Sequence, residues 1–112
     1  MKFALLVHYK PGYYEVLSED EQKSVFAEYR ALGQDPRAVG GAQLQPIETA
    51  TTVRVQDGQT LTTDGPYADT AEVFGAYYVF DVENLDEATE LAARIPAARL
   101  GGAIEVRPLV ER

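Results

Sequence analysis

The sequence predicts a single α+β domain built around an antiparallel sheet. Two observations carry this prediction: segments with strand and helix periodicity alternate along the chain, and they fall into two βαβ-like halves. In addition, an Asp-Gly pair lies between two β-branched segments, and this pattern predicts a hairpin inserted between the halves. The 112 residues suit one compact domain, so residues 1–112 are treated as one unit.

The first half begins with a strand over residues 2–9, where apolar residues follow one another almost without a break. A helix follows over residues 19–33. Ser18 and Glu21 have the spacing of a capping box, which marks the start of this helix. Four residues then recur at helical spacing and predict one apolar stripe: Val25, Phe26, Tyr29 and Leu32.

The middle of the chain predicts a short second strand over residues 38–45, where two adjacent glycines indicate a bend or a close backbone approach. Residues 51–56 and 59–63 flank Asp57-Gly58. We expect these two segments to form the hairpin, because a type I′ turn needs a positive φ at both central residues.

The second half repeats the pattern of the first. A strand over residues 75–82 precedes Asn84, whose spacing from Glu87 again indicates a helix cap. An apolar face then runs from Leu85 to Ile95, and a last strand covers residues 103–109. This order predicts a ferredoxin-like fold with two helices on one face of the sheet.

The strands carry apolar residues on both faces, which predicts a homodimer. Helices on one side would leave the other sheet face exposed, and soluble monomers rarely expose a large apolar patch. Packing two such faces around a two-fold axis removes that exposure.

The charge balance and the absence of cysteine exclude several classes of function. Lys and Arg total 10 against 18 Asp and Glu, so the net charge of −8 disfavours nucleic acid and anionic membranes as partners. With no cysteine and one histidine, we expect no disulfide, no metal site and no cofactor. The first apolar segment is too short for a signal peptide or a membrane span, which makes the cytoplasm the expected location.

Residues 64–78, beginning Asp-Gly-Pro-Tyr, resemble the signature of the YCII-related family, in particular the branch named for an Asp-Gly-Pro-Phe motif. Flanking matches extend the resemblance over almost the whole chain, at residues 44–46, 51–55, 57–58, 85–88, 93–99 and 105–108. Tyr67 stands where the branch usually has Phe. The resemblance implies a dimeric α+β barrel. Some proteins of this branch occur alongside extracytoplasmic-function sigma factors.

His8 and Asp64 are the candidate catalytic residues. The ring of His8 ends the first strand and could act as a general base, since its ordinary pKa lies near neutrality. It could equally be a packed or hydrogen-bonded residue at a strand end. Asp64 lies in a turn beside a strand, where sites tend to occur, but its carboxylate could simply shape that turn.

Five further residues are candidates for lining a ligand pocket: Tyr9, Tyr67, Asp69, Tyr78 and Arg99. Tyrosines suit a mainly apolar pocket, and they suit a dimer contact as well. An arginine after a helix could pair with an anionic ligand group, with the helix carbonyls or with a nearby carboxylate. Asp69 could instead cap a short helical turn.

Two hypotheses of function remain open from the sequence. The first is a small-molecule enzyme or binder with acid/base residues in a tyrosine-lined pocket between the sheet and the hairpin. The second is a non-enzymatic dimeric interaction protein that recognises a transcription regulator, such as an extracytoplasmic-function sigma factor. A tyrosine-lined cavity with convergent polar groups would favour the first hypothesis.

Overall fold

The computed structural model describes residues 1–66 and 72–112 and has the predicted α+β architecture. Its helices are α1 (Glu19–Gly33) and α2 (Leu85–Ala93), with short 3₁₀ turns at Ile47–Thr49 and Pro96–Ala98. The strands are β1 (Lys2–Tyr9), β2 (Ala38–Gln43), β3 (Thr51–Gln56), β4 (Gln59–Asp64), β5 (Val73–Asp81) and β6 (Ala103–Pro108).

Four strands form one antiparallel sheet in the order β2-β5-β1-β6. This order places the first strand in the middle, between strands that come much later in the chain. It is the ferredoxin-like arrangement that the order of elements predicts. The prediction of the fold class is therefore confirmed.

Both helices begin at the caps that the sequence indicates. The Ser18 hydroxyl accepts a hydrogen bond from the Glu21 backbone N–H at 3.2 Å, and the Glu21 carboxylate accepts one from the Ser18 N–H at 3.2 Å. At α2, the Asn84 side-chain oxygen accepts from the Glu87 N–H at 3.0 Å. These bonds satisfy N–H groups that the first turn of a helix leaves without a partner.

The core lies between the helices and one face of the sheet. Alternate β1 side chains, Phe3, Leu5 and Val7, are buried there together with Phe80 of β5. Residues of both helices join the same cluster, so both helices cover this face, as predicted: Leu32 from α1, and Ala88, Leu91 and Ala92 from α2.

Neither α1 nor α2 covers the other face of the sheet. Ala4, Leu6 and His8 of β1 are half-buried on this face, and Leu6 lies directly opposite Tyr77 of β5. We call this side of the sheet the open face. It is the surface on which the sequence predicts a dimer contact.

Strands β3 and β4 form the predicted hairpin, which pairs with itself and makes few contacts with the rest of the described chain. Asp57 and Gly58 both have positive φ, of 51° and 74°, as a type I′ turn requires. The radius of gyration of 15.9 Å exceeds the roughly 13 Å of a compact domain of this length, consistent with a projecting hairpin.

The strand ends differ from the prediction by a few residues. β2 ends at Gln43 rather than at residue 45, and β5 begins at Val73 rather than at residue 75. The close approach predicted in β2 occurs at Gly41, which has a φ of 149°. A Cβ there would lie 2.6 Å from the Tyr77 carbonyl oxygen, so this position requires glycine.

Candidate functional site

A cavity of about 780 Å³ lies between α1 and the helix-covered side of the sheet. Its walls come from α1, β2, β5, the end of β1 and the loop after β1. The sequence led us to expect a pocket between the sheet and the hairpin, but no residue of β3 or β4 borders this cavity. All six tyrosines of the described residues do: Tyr9, Tyr13, Tyr14, Tyr29, Tyr77 and Tyr78.

Gly41 and Ala76 pair with the core-facing residues Tyr78 and Val7, and at these two positions under α1 large side chains would fill the space. Gly40, Gly41 and Ala42 of β2 and Ala76 of β5 all border it. On the α2 side, by contrast, the same face of the sheet is packed with large apolar side chains. The predicted stripe of α1 is therefore only partly buried, and Phe26, at the edge of the cavity, is 61% exposed.

The ring of Tyr9 lies directly over Gly75. A Cβ added to Gly75 would overlap the Cε1 atom of that ring, so only glycine leaves space for it. Gly75 is the extra residue of a bulge in β5, since Val7 pairs with Ala76 and His8 pairs with Phe74. The bulge and the missing side chain together place the Tyr9 ring against the cavity.

The tyrosines form a connected aromatic wall. The ring centroids of Tyr9 and Tyr13 are 5.2 Å apart, and those of Tyr13 and Tyr14 are 6.4 Å apart with an edge-on orientation. Such contacts stabilise the arrangement by about 0.5–1.5 kcal/mol each beyond simple burial. The register opposite Leu6 puts the Tyr77 side chain on the open face, so it lies outside this wall.

Most of the hydroxyl groups at this wall are engaged in hydrogen bonds. Those of Tyr13 and Tyr29 lie 2.8 Å apart and share one bond. The Tyr78 hydroxyl donates to the Tyr29 backbone carbonyl at 3.0 Å, and that of Tyr14 donates to the Gln22 carbonyl at 3.2 Å. Among the described residues, the Tyr9 hydroxyl has no such bond.

Burial favours the protonated form of three of these hydroxyls. It raises the pKa of Tyr78 to about 12 and also raises the pKa of Tyr29. The pKa of Tyr13 is raised by burial and further by its bond to Tyr29. At neutral pH these groups are hydrogen-bond donors and weak acceptors, and they are poor general bases.

The predicted pocket residues Tyr9 and Tyr78 both line the cavity, whereas the two candidate catalytic residues do not. His8 lies on the open face, where its Nε2 is 3.5 Å from Glu105 Oε1 and its ring is 5.7 Å from that of Phe74. Asp64 is exposed at the end of β4, opposite Thr51. Their surroundings are thus separate, and their catalytic roles stay predictions.

Arg99 lies outside the large cavity and forms a 2.6 Å ion pair with Glu28 of α1. It borders a second, smaller cavity of about 300 Å³. The sequence left three partners open for Arg99: a ligand group, the helix carbonyls or a nearby carboxylate. The structure shows the carboxylate. The remaining two pocket candidates, Tyr67 and Asp69, lie outside the described residues.

Sequence reasoning did not single out Tyr13 and Tyr14 and assigned Tyr29 only to a packing stripe. The sequence did contain a signal for a polar aromatic site, because two tyrosines directly follow a Pro-Gly turn and bring two rings with hydroxyl groups to one place. A tyrosine within a stripe that faces a sheet also needs a partner for its hydroxyl. Pairing Tyr13 with Tyr29 needs the tertiary structure, because 16 residues separate them.

Within the described ranges, no three His, Asp or Glu side chains converge as metal ligands would. The described helices also include none that is long and apolar enough to cross a bilayer. The groups available for chemistry at the cavity are therefore its tyrosine hydroxyls, with Glu15 and Arg30 as the charged lining residues.

Comparison with known proteins gives matches over nearly the whole chain. The family model of the YCII-related domain matches residues 1–112. An uncharacterized protein of Rhizobium meliloti (strain 1021) is 32% identical over 114 residues, which cover 97% of this chain and 92% of that protein.

A solved structure shares the fold. It is the 5-chloro-2-hydroxyhydroquinone dehydrochlorinase TftG from Burkholderia phenoliruptrix, in complex with 2,5-dihydroxybenzoquinone. The TM-score is 0.55 at 18% sequence identity, and the match covers 100% of this chain and 96% of the other. At this identity the likeness concerns the fold alone.

Proposed function

The chain belongs to the YCII-related domain family, and from its fold and its cavity we propose that it binds a small oxygenated ring compound, as an enzyme or as a binding protein. One observation carries the proposal: a cavity of about 780 Å³ whose wall is built from tyrosine rings. A cavity of that volume has the size of ordinary ligand sites, which are mostly apolar with a few polar groups.

The wall also indicates the shape of the ligand. The Tyr9 and Tyr13 rings present flat apolar surfaces, against which a planar ring can pack in offset or edge-on contact. Their hydroxyls supply donors for oxygen atoms on the ligand. TftG, an enzyme with the same fold, contains 2,5-dihydroxybenzoquinone in its structure, which is compatible with a ligand of this kind.

Binding of three planar probes tests the proposal: 4-nitrophenol, 4-nitroanisole and 2,5-dihydroxybenzoquinone. Gly33 borders the cavity, and a Cβ there would have no atom within 4 Å, so Gly33→Trp fills space without a clash at its base. Ala27 is exposed on the same helix and does not border the cavity, so Ala27→Trp is the matched control. We expect saturable binding that Gly33→Trp weakens and Ala27→Trp preserves. Failure of all three probes to bind would overturn the proposal.

The acid/base part of the proposal concerns His8 and Asp64. If turnover of any of these probes is detected, His8→Ala and Asp64→Ala test whether these two residues, which do not border the cavity, take part in it; a loss of about 10²–10⁴-fold would support the acid/base role. Full activity in both variants would remove these two residues from the mechanism. The tyrosine hydroxyls, Glu15 and Arg30 of the cavity would then be the remaining candidates for proton transfer.

The open face supports a homodimer. Leu6, Tyr77 and Val79 lie on this face, next to the half-buried Ala4. Covering such a surface with a second copy lowers the apolar area exposed to water. The proposed homodimer would leave the cavities on the outer, helix-covered sides of both sheets.

A second candidate function, an interaction protein in the cytoplasm, is favoured by the projecting hairpin. Val53 and Val55 are 58% and 68% exposed on one face of it. An isolated two-stranded hairpin is at best marginally stable, so a partner surface would stabilise it. An extracytoplasmic-function sigma factor should bind the wild-type protein and not Val53→Lys, as measured by sedimentation velocity. Absence of any complex would contradict this alternative.

A further inference from the structure

The hydroxyl protons at the cavity wall do not all have acceptors. Tyr13 and Tyr29 have two hydroxyl protons and one shared hydrogen bond, so one proton of this pair remains unused. Tyr14 and Tyr78 donate to backbone carbonyls and have none to spare. With the Tyr9 hydroxyl, the described part of the wall holds two donors for a ligand.

These two donors are linked through Tyr13, whose ring is next to that of Tyr9 and whose hydroxyl is 2.8 Å from that of Tyr29. The rings of Tyr9 and Tyr13 are neighbours at 5.2 Å, on the side of the cavity formed by the end of β1 and the following loop. A ligand oxygen that reaches this corner meets the hydroxyl donors of the tyrosines, and Glu15 on the same loop is the carboxylate nearby. Burial raises the pKa of Tyr13 and Tyr29, so neither loses its proton near neutral pH.

The charged groups near this corner come from three elements. Glu15 lies on the loop after β1 and acts on Tyr13 as a negative charge, and Arg30, which has the opposite charge, lies on α1. Arg99, after α2, acts on Tyr29 as a positive charge even though it pairs with Glu28. None of the lining residues contributed by β1, β2 or β5 within the described ranges is charged.

We propose that this cavity selects the ionised form of a phenolic or enolic ligand, whose oxygen anion accepts hydrogen bonds from Tyr9 and from the Tyr13–Tyr29 pair. The proposal rests on the proposed function and adds the protonation state of the ligand. Hydrogen bonds to an ionised acceptor are about twice as strong as bonds between neutral groups. The proton leaves the ligand hydroxyl for bulk water, so binding is accompanied by proton release.

The pair 4-nitrophenol and 4-nitroanisole tests this directly, since they share a planar ring and differ in having an ionisable hydroxyl or a methyl ether. The absorption band of 4-nitrophenol reports its ionisation in the bound state. We expect bound 4-nitrophenol to have an apparent pKa lower by about 1, which is a tenfold preference for the anion. We also expect proton release on binding in a weakly buffered solution.

The double variant Tyr13→Phe/Tyr29→Phe removes the shared pair, and Tyr9→Phe removes the other donor. Each variant should reduce the ratio of the affinity for the 4-nitrophenol anion to the affinity for 4-nitroanisole. Circular dichroism checks that the variants are folded. Thr62→Val deletes a hydroxyl on the hairpin, away from the cavity, and should keep the preference of the wild type.

The outcomes separate the two proposals. If both probes bind equally and the pKa of 4-nitrophenol does not fall, selection of the anion is wrong while the ligand cavity stands. If the double variant and Tyr9→Phe retain the full preference, the assignment to these hydroxyls is wrong. If none of the three planar probes binds, the proposed function itself is overturned.

Discussion

Replacing Gly75 by alanine is expected to destabilise the protein because the new methyl group would overlap the ring of Tyr9. Three ring atoms of Tyr9 lie within 2.8 Å of the position of that Cβ, so the ring must move as a whole. Overpacking of this kind costs about 1–3 kcal/mol. Displacement of the ring also removes its contact with Tyr13, which contributes about 0.5–1.5 kcal/mol.

The backbone at Gly75 does not oppose the substitution. Its φ lies outside the positive range, so alanine can adopt the same conformation there. Without the clash, Gly→Ala normally stabilises a protein by about 0.4–1 kcal/mol, because it reduces the freedom of the unfolded chain. The sign of the effect therefore depends on whether the Tyr9 ring is present.

A double-mutant cycle measures this dependence by urea denaturation followed by circular dichroism. In the wild-type background, Gly75→Ala should lower the free energy of unfolding by about 1–3 kcal/mol. In a Tyr9→Ala background, the same substitution should be neutral or stabilise by up to about 1 kcal/mol. An equal loss in both backgrounds would refute the steric explanation. Gly75→Ala should also weaken binding of 4-nitroanisole, since Tyr9 forms part of the wall.

Three further predictions concern the core, an ion pair and the open face. Leu5 is fully buried, so Leu5→Ala should lower the free energy of unfolding by about 2–5 kcal/mol in urea. Hydrogen bonds from Arg37 lower the pKa of Asp35 from 3.8 to about 2, so the stability this pair contributes is complete above pH 3.8 and is lost as the pH falls towards 2. Asp35→Asn should remove that acid-dependent loss from a plot of melting temperature against pH; an unchanged slope would contradict this role. If the proposed homodimer forms through the open face, Leu6→Lys should give monomers in sedimentation equilibrium at micromolar concentration, and a monomeric wild type would contradict the homodimer.

The fold could be predicted from the sequence because its signals are local. The helix caps at Ser18 and Asn84 and the Asp57-Gly58 turn each depend on residues within four positions of one another. Periodicity then gives the type of each element. The ends of β2 and β5 were predicted less accurately, because the pairing of neighbouring strands rather than propensity decides where a strand ends.

The cavity could not be predicted because it depends on the lack of large side chains between α1 and the sheet. A stripe containing Phe26 and Tyr29 has the same spacing whether the helix packs tightly on a sheet or stands over an empty space. The small residues of β2 create that space only after β2 has been placed under α1. Tyr9 and Tyr78 could be proposed by residue type, but the Tyr13–Tyr29 bond depends on how α1 and the preceding loop come together.

The central position of β1 has a consequence for the order of events during synthesis. Both strands that flank β1 lie far along the chain, at Val73–Asp81 and Ala103–Pro108. At translation rates of about 5–20 residues per second, roughly 5–20 s pass between the synthesis of β1, with its apolar side chains Phe3, Leu5 and Val7, and the synthesis of both β5 and β6. The sheet is therefore completed only after β6 has been synthesised, and until then β1 is without one of its two flanking strands.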